Sequence, residues 1–516
     1  MSTVTDYADA VMRRSRVPME PADFVPDWRD RPRKAKFFPG ADLVPLPPCP
    51  YPAAASVDSG LTARPGSERF TLPLLSGLLQ DSYGLVGRRL GVQANSDLSA
   101  LPHYVEANWS RGAASGGGLY PVSVYWAAGP SGPLLPGLYH YAPARHGLER
   151  LLAGDVSAEV REAVGGADTD QFLILGVQFW QNSFKYNSFS YHVVTMDTGA
   201  LLQAWRMWAG ARGLAIEPRF WFDEPRLTRL LGVAGDREGV FAVVPLRWAG
   251  TPSLSAGAPA RVRRSDAGRS TRFAEFGTVR SVHEATVDGG PRPGTDALAA
   301  AVPGPAAAGG HPLPPTAPMG TDVRTALRAR RSSFGRFSGL VPTTRPQLAA
   351  LLAATAAGAA LPTDLGTTEL AAIYVFVNHV EGLDPGSYRY DPGTRTLSPV
   401  TAGPPGEFLQ RNYFLANYNL EQAGAVIVPA VRTGAVVAAT GDRGYRLVTA
   451  VIGAAAQAVY TAAAALGIAC GVALGFDSVS YVEELGLEGT GEVPLLLMMV
   501  GHETGRPADF RYELAR

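Results

Sequence analysis

Two short segments carry the side chains and backbone that could hold an anion. Arg330-Arg331-Ser332-Ser333 sets two guanidinium forks beside two hydroxyls, a combination that receives a phosphate through bidentate, charge-assisted hydrogen bonds. Ser115-Gly116-Gly117-Gly118 follows closely on Arg111. Three consecutive glycines let main-chain N–H groups approach a planar ring or an anion that any Cβ would hold away. A weaker basic segment, Arg64-Pro-Gly-Ser67-Glu-Arg69, lies upstream. The eight histidines are scattered, and Cys49 and Cys470 are far apart in the chain. No metal site and no disulfide framework are therefore expected.

What positions these segments is a duplication. Residues 191–241 lie on 445–495 at a constant offset of 254, and seventeen of the 51 pairs are identical, against about four expected by chance from such composition. Tyr191, Gly199, Gln203, Phe222, Asp223 and Leu231-Gly232 meet Tyr445, Gly453, Gln457, Phe476, Asp477 and Leu485-Gly486. A tandem copy can build inside one chain an interface that other proteins make by dimerising.

At 516 residues the chain is too long for one core, and two domains with connecting segments are expected. Residues 1–60 are Pro-rich and read as an irregular extension. Repeat one runs near 61–250, an Ala/Gly/Pro-rich linker near 251–320, and repeat two near 321–516. Formal net charge is zero and apolar residues make up 46%, which gives no reason to expect nucleic acid. The run Arg261-Val-Arg-Arg264 reads as a solvated linker face. The N-terminus has no basic segment followed by an apolar one, so the chain is read as cytoplasmic. Leu447 to Phe476 is nearly uncharged, but its counterpart, Leu201 to Phe222, holds Arg206, Arg212, Glu217 and Arg219. The stretch is therefore read as a buried helix and not as a membrane span.

Each repeat offers the same elements in the same order. A short helix (Leu74–Leu79; Leu348–Leu352) precedes a strand (Val122–Trp126; Ala371–Phe376). A Pro-Gly turn and an alternating Tyr-x-Tyr strand follow, with the period of a half-exposed strand. An apolar strand, a long helix and a closing strand complete the unit. The order implies an α+β fold of mostly antiparallel sheets flanked by helices, with the long helices as the pseudo-dimer contact.

In these words and this order both repeats resemble the FMN-dependent nitroreductase superfamily, and more narrowly the SagB-type dehydrogenases that oxidise azolines on ribosomally made peptides. Arg111-Gly-Ala-Ala-Ser115-Gly-Gly-Gly-Leu-Tyr120-Pro121 resembles that family's glycine loop, with Ala114 where the family has proline. Lys185-Tyr186 resembles its catalytic pair, and Arg330–Ser333 its opening phosphate motif. The resemblance implies two tandem domains forming an intramolecular pseudo-dimer, FMN as cofactor, Lys185 and Tyr186 as catalytic residues, and Arg64, Ser67, Arg69, Arg111, Ser115, Gly116, Gly117, Gly118, Arg330, Arg331, Ser332 and Ser333 as cofactor-binding residues. It also implies a modified precursor peptide as substrate and cyclodehydratase proteins as partners. The chain would act as a monomeric pseudo-dimer or as a homodimer.

The copies are unequal. Lys185 and Tyr186 fall on Ala439 and Thr440, and the glycine loop falls on Asp364-Leu-Gly-Thr-Thr. One FMN held chiefly by repeat one is expected, with a composite phosphate site using Arg330–Ser333 as the competing arrangement. Azoline aromatisation removes a hydride from one ring carbon and a proton from its neighbour. Tyr186 would serve as the base and Lys185 as the charge that favours its phenolate, or the two roles would be exchanged. Because neighbours on a strand face opposite ways, both can act only if the strand ends there, and Asn187-Ser188 supplies a turn. Three other readings stand beside this one: an NAD(P)H-dependent nitro- or quinone reductase with Phe220-Trp-Phe222 capping the flavin, a superfamily dehydrogenase acting on another peptide or amino-acid-derived bond, and a flavin-free scaffold of a peptide-modifying complex.

Overall fold

The computed structural model describes residues 2–64, 66–92, 104–254, 260–288, 290–307, 309–333, 335–367, 369–504 and 511–514. Apolar runs rich in β-branched and aromatic residues form two main antiparallel sheets. The first joins β1 (Asp42–Pro45) of the N-terminal extension to β2 (Val122–Ala128), β3 (Gly137–Ala142), β4 (Gly147–Ala153), β5 (Gln171–Gln178) and β6 (Glu238–Pro245) of repeat one, in the order β1-β4-β3-β2-β5-β6. The second joins β7 (His311–Pro312) of the linker to β8 (Ala371–Val377), β9 (Gly386–Asp391), β10 (Thr396–Ala402), β11 (Ala425–Val431), β12 (Ala469–Ala473) and β13 (Leu497–Gly501) of repeat two in the order β12-β13-β11-β8-β9-β10-β7, and Val493–Pro494 also pairs with β11. The registers repeat as well. Tyr125 pairs with Ile174, and its counterpart Tyr374 pairs with Val428.

Among the helices are α1 (Thr3–Arg13), α2 (Leu72–Ser82), α3 (Phe179–Tyr186), α4 (Ser190–Gly210), α5 (Gly277–Val287), α6 (Arg345–Ala359), α7 (Thr433–Thr440) and α8 (Gly444–Ala465). Helix α8 is long and apolar enough to cross a membrane, yet 94% of its most apolar window is buried. It packs along α4. A Cβ on Gly199 would stand 1.9 Å from the Ala450 carbonyl oxygen, and one on Gly453 would stand 2.0 Å from that of Met196. One shared core surrounds this helix pair and takes the inner face of both sheets, while a smaller cluster covers the outer face of each. The two halves form an intramolecular pseudo-dimer.

Three local expectations are corrected. Tyr139 and Tyr141 do not sit on a half-exposed strand, because both faces of β3 are covered and every residue in it is buried. Residues 1–60 are not irregular throughout: Ser2 caps α1, whose Val4, Tyr7 and Val11 recur at helical spacing and pack inward. The linker likewise carries α5, with Val279, Val282, His283 and Thr286 buried on one face.

Along the chain the offset between copies is 249 on β2–β4 and 254 from β5 onward (Val122 to Ala371, Gln171 to Ala425). The difference, 254 − 249, is a five-residue insertion in repeat two ahead of β11. It lies in the loop that carries Tyr413 to Tyr418.

Candidate active site at the seam between repeats

Lys185 and Tyr186 end a helix and not a strand. Helix α3 stops where Asn187 turns to φ +42°, and its counterpart α7 stops at Gly441 with φ +75°. Consecutive helical residues are about 100° apart, so the two side chains share a direction that a strand would have denied them. They converge on Gly117, where a Cβ would lie 2.6 Å from the Tyr186 hydroxyl and 2.9 Å from Lys185 Nζ. The Lys185 ammonium stands 5.0 Å from the Tyr186 ring centre.

The glycine loop beneath them needs its glycines. Gly117 and Gly118 have φ of +62° and +64°, and a Cβ on Gly116 would strike Val193 at 2.2 Å. The position of a Gly118 Cβ has no heavy atom within 4 Å, which leaves open space above the loop. Ser115 points inward. It donates to Asp197 at 2.6 Å and accepts from the Tyr120 N–H at 2.9 Å, while the Gly116 N–H donates to the other Asp197 oxygen at 2.8 Å. Asp197 is buried on α4, and burial pushes its pKa up to about 7 against those two donors. It gives no signal in the sequence beyond being an acid on a helix otherwise expected to be buried.

Repeat two clamps the loop from across the seam. Gln457 of α8 accepts from the Ala114 N–H at 2.8 Å and donates to the Gly112 carbonyl at 3.3 Å. Arg330 donates to the Gly112 and Arg111 carbonyls at 2.9 and 3.2 Å. Beside it Ser332 meets the Tyr460 hydroxyl at 2.7 Å, and the Ser333 N–H donates to the Cys470 carbonyl at 2.8 Å. Arg331 and Arg336 share Glu503. Arg330, Arg331 and Arg336 thus gather three guanidinium groups on this side of the seam, donors of the kind that receive a phosphate.

The other candidates lie elsewhere. Arg111 is buried between the rings of Tyr83 and Tyr120, 4.4 and 4.2 Å from their centres, and donates to the Lys34 carbonyl. Arg64, Ser67 and Arg69 are exposed. Their segment packs on Gly213, and Arg69 donates to the Trp248 carbonyl.

The counterpart position across the pseudo-twofold is filled. Asp364, in the place of Ser115, accepts from the Phe220 and Trp221 N–H groups at 3.1 and 3.0 Å. Trp221 stands where the first position has Gly475, and Phe220, Trp221 and Phe222 are all buried. These aromatics therefore do not cap the face above Lys185 and Tyr186. Nearby, Arg446 is fully buried among Glu224, Tyr191, Thr286, His283 and the Val240 carbonyl, so linker helix α5 closes that side.

Residues 327–502 match the Nitroreductase family model. Repeat two is therefore similar to that family. A structure from Anabaena variabilis assigned to the nitroreductases matches at 22% identity over 98% of this chain and 100% of its own, with a TM-score of 0.71. The nitroreductase fold thus extends through both halves. A second such structure, from Ralstonia eutropha, is similar at 21% identity over 42% of this chain and 95% of its own, with a TM-score of 0.29. The E. coli microcin synthetase complex with truncated pro-MccB17 bound is similar at 18% identity over 35% of this chain and 64% of its own, with a TM-score of 0.27. No curated protein matches the chain.

Proposed function

We propose that the chain is an FMN-dependent dehydrogenase that converts thiazolines or oxazolines to thiazoles or oxazoles on a ribosomally made peptide. The observation that carries this reading is the convergence of Lys185 and Tyr186 on Gly117, beside a cationic wall supplied by the other repeat. The residues fit FMN on two counts. Gly118, with φ of +64° and nothing within 4 Å of its Cβ position, leaves room above the loop for a flat ring, and the guanidinium groups of Arg330, Arg331 and Arg336 supply donors for a phosphate. The open side of the loop at Gly118 would then face the ring and Arg330–Ser333 the phosphate, so the composite arrangement is favoured over one built from repeat one alone.

When bound, FMN supplies a two-electron acceptor for the hydride leaving the azoline. The chain supplies the rest. The Tyr186 oxygen takes the ring proton, and the Lys185 ammonium beside it stabilises the phenolate that must be present beforehand. Gly117 lets both groups close on the same point. Ala439 and Thr440 offer neither group, and Trp221 fills the space, which supports one flavin per chain.

The test is direct. Lys185→Ala and Tyr186→Phe should keep the yellow colour and flavin content of the parent protein while azole formation, read as loss of two hydrogens by mass, disappears. Retained turnover in either variant removes the assignment.

A further inference from the structure

A cleft of about 670 Å³ opens beside the first turns of α3, a volume in the range of ligand sites. It is roofed by neither repeat. Its outer walls come from the N-terminal extension and the linker, which are stitched together across it. Arg33 donates to the Ala267 carbonyl at 3.3 Å, Arg264 to that of Gly40 at 3.0 Å, and Arg269 to that of Arg29 at 3.4 Å. A carbonyl fixes the guanidinium in place without cancelling its formal charge, so these cations are ordered before any ligand arrives. Six cationic side chains line the cleft against four carboxylates, and since Arg280 is paired with Glu284 just outside it at 2.9 Å, the lining keeps a net of +1. One of those carboxylates, Glu238, is taken up by buried Lys36. Apolar surface is offered as well. Phe273 is 55% exposed, lies under the Arg237 guanidinium at 5.8 Å and packs against Trp180.

We propose that this cleft binds an acidic segment of the substrate peptide that also carries apolar side chains. The inference rests on the peptide substrate proposed above. Charge complementarity selects the segment, and the exposed ring takes its apolar residues. The distance is suitable. Phe179, Trp180, Gln181 and Ser183 of α3 line the cleft, and Lys185-Tyr186 end the same eight-residue helix. At about 1.5 Å per residue the helix spans about 12 Å, which about four residues of extended peptide would cover. A peptide anchored here would hold a ring a few residues away within reach of the seam.

The experiment uses fluorescence anisotropy on the whole chain, with a short labelled peptide alternating Glu and Leu and a second in which Lys replaces Glu. The acidic peptide should bind, weaken as KCl is raised, and weaken roughly tenfold with Arg237→Glu or Phe273→Ala, both exposed positions; Arg411→Glu, on a remote exposed helix, should change nothing. Equal binding of the Lys peptide, or affinity unmoved by both cleft variants, overturns the proposal. Turnover of a short azoline without an acidic segment is read separately. Its loss in the parent protein would count against the dehydrogenase reading and leave the anisotropy result standing.

Discussion

Gly199 and Gly453 hold the same place in the two copies, and each rests on the backbone of the other's helix. Gly199 meets Ala450 while Gly453 meets Met196, and Ala450 is itself the counterpart of Met196. That is the self-complementary contact of a twofold dimer, made here within one chain.

Because both glycines sit within 2.0 Å of carbonyl oxygen once a Cβ is added, Gly199→Val or Gly453→Val must push the helices apart. Each should cost about 3 kcal/mol or more, read as a drop in unfolding midpoint by calorimetry. The same change at Gly434, with open space around its Cβ position, should be mild.

Asp197 gives the glycine loop a pH dependence of known sign. Its folded pKa of about 7 lies above the ordinary carboxylate value. Between about pH 4 and pH 7 the folded chain therefore holds a proton that the unfolded chain has lost, and stability falls as pH rises through that window. Buried His192 and His283, lowered to about 3 and about 4 chiefly by burial, act in the opposite direction as pH drops. The measurement is thus a difference: unfolding free energy of Asp197→Asn minus that of the parent should climb by a few kcal/mol from pH 4 to pH 7 and level off above it. A flat difference refutes the assignment.

Removing the clamp from across the seam should loosen the loop without touching the reacting groups. Gln457→Leu strips the partner from the Ala114 N–H and leaves the Gly112 carbonyl to Arg330 alone, at about 1–3 kcal/mol. Flavin should dissociate faster on gel filtration, with Arg330→Ala showing the stronger effect because charge is lost too.

Flavin content of the purified chain, measured by absorbance after heat release, should be one per polypeptide. Trp221→Gly should not raise it to two, since Asp364 still occupies the loop position and Arg446 remains committed to Glu224. A value of two in the parent protein would refute the unequal-copies reading.

Much of this fold is legible because the chain repeats itself. A glycine and a glutamine recurring at one spacing mark the helix pair, and order plus periodicity place β2, β3, β5 and their counterparts. The failures have physical causes. Lys185-Tyr186 follow an apolar strand, and nothing in Phe179–Phe184 announces a turn of helix; the helix follows from packing against α4. Asp197 is invisible because an acid on a helix normally faces water, and only the loop donors explain its burial. The linker's α5 has a clear buried face, but glycine and proline on both sides hide it. Trp221 and its counterpart Gly475 are both legible at the 254 offset, while the role of plug follows from the burial of Trp221 beside Asp364.

The wall bearing Arg330 and Gln457 and the wall bearing Gly117 belong to one covalent chain. In an ordinary two-subunit arrangement such walls drift apart as the protein is diluted, and activity per molecule declines with them. Here tethering fixes their effective concentration whatever the bulk value, so scarcity of the protein alone leaves the seam assembled.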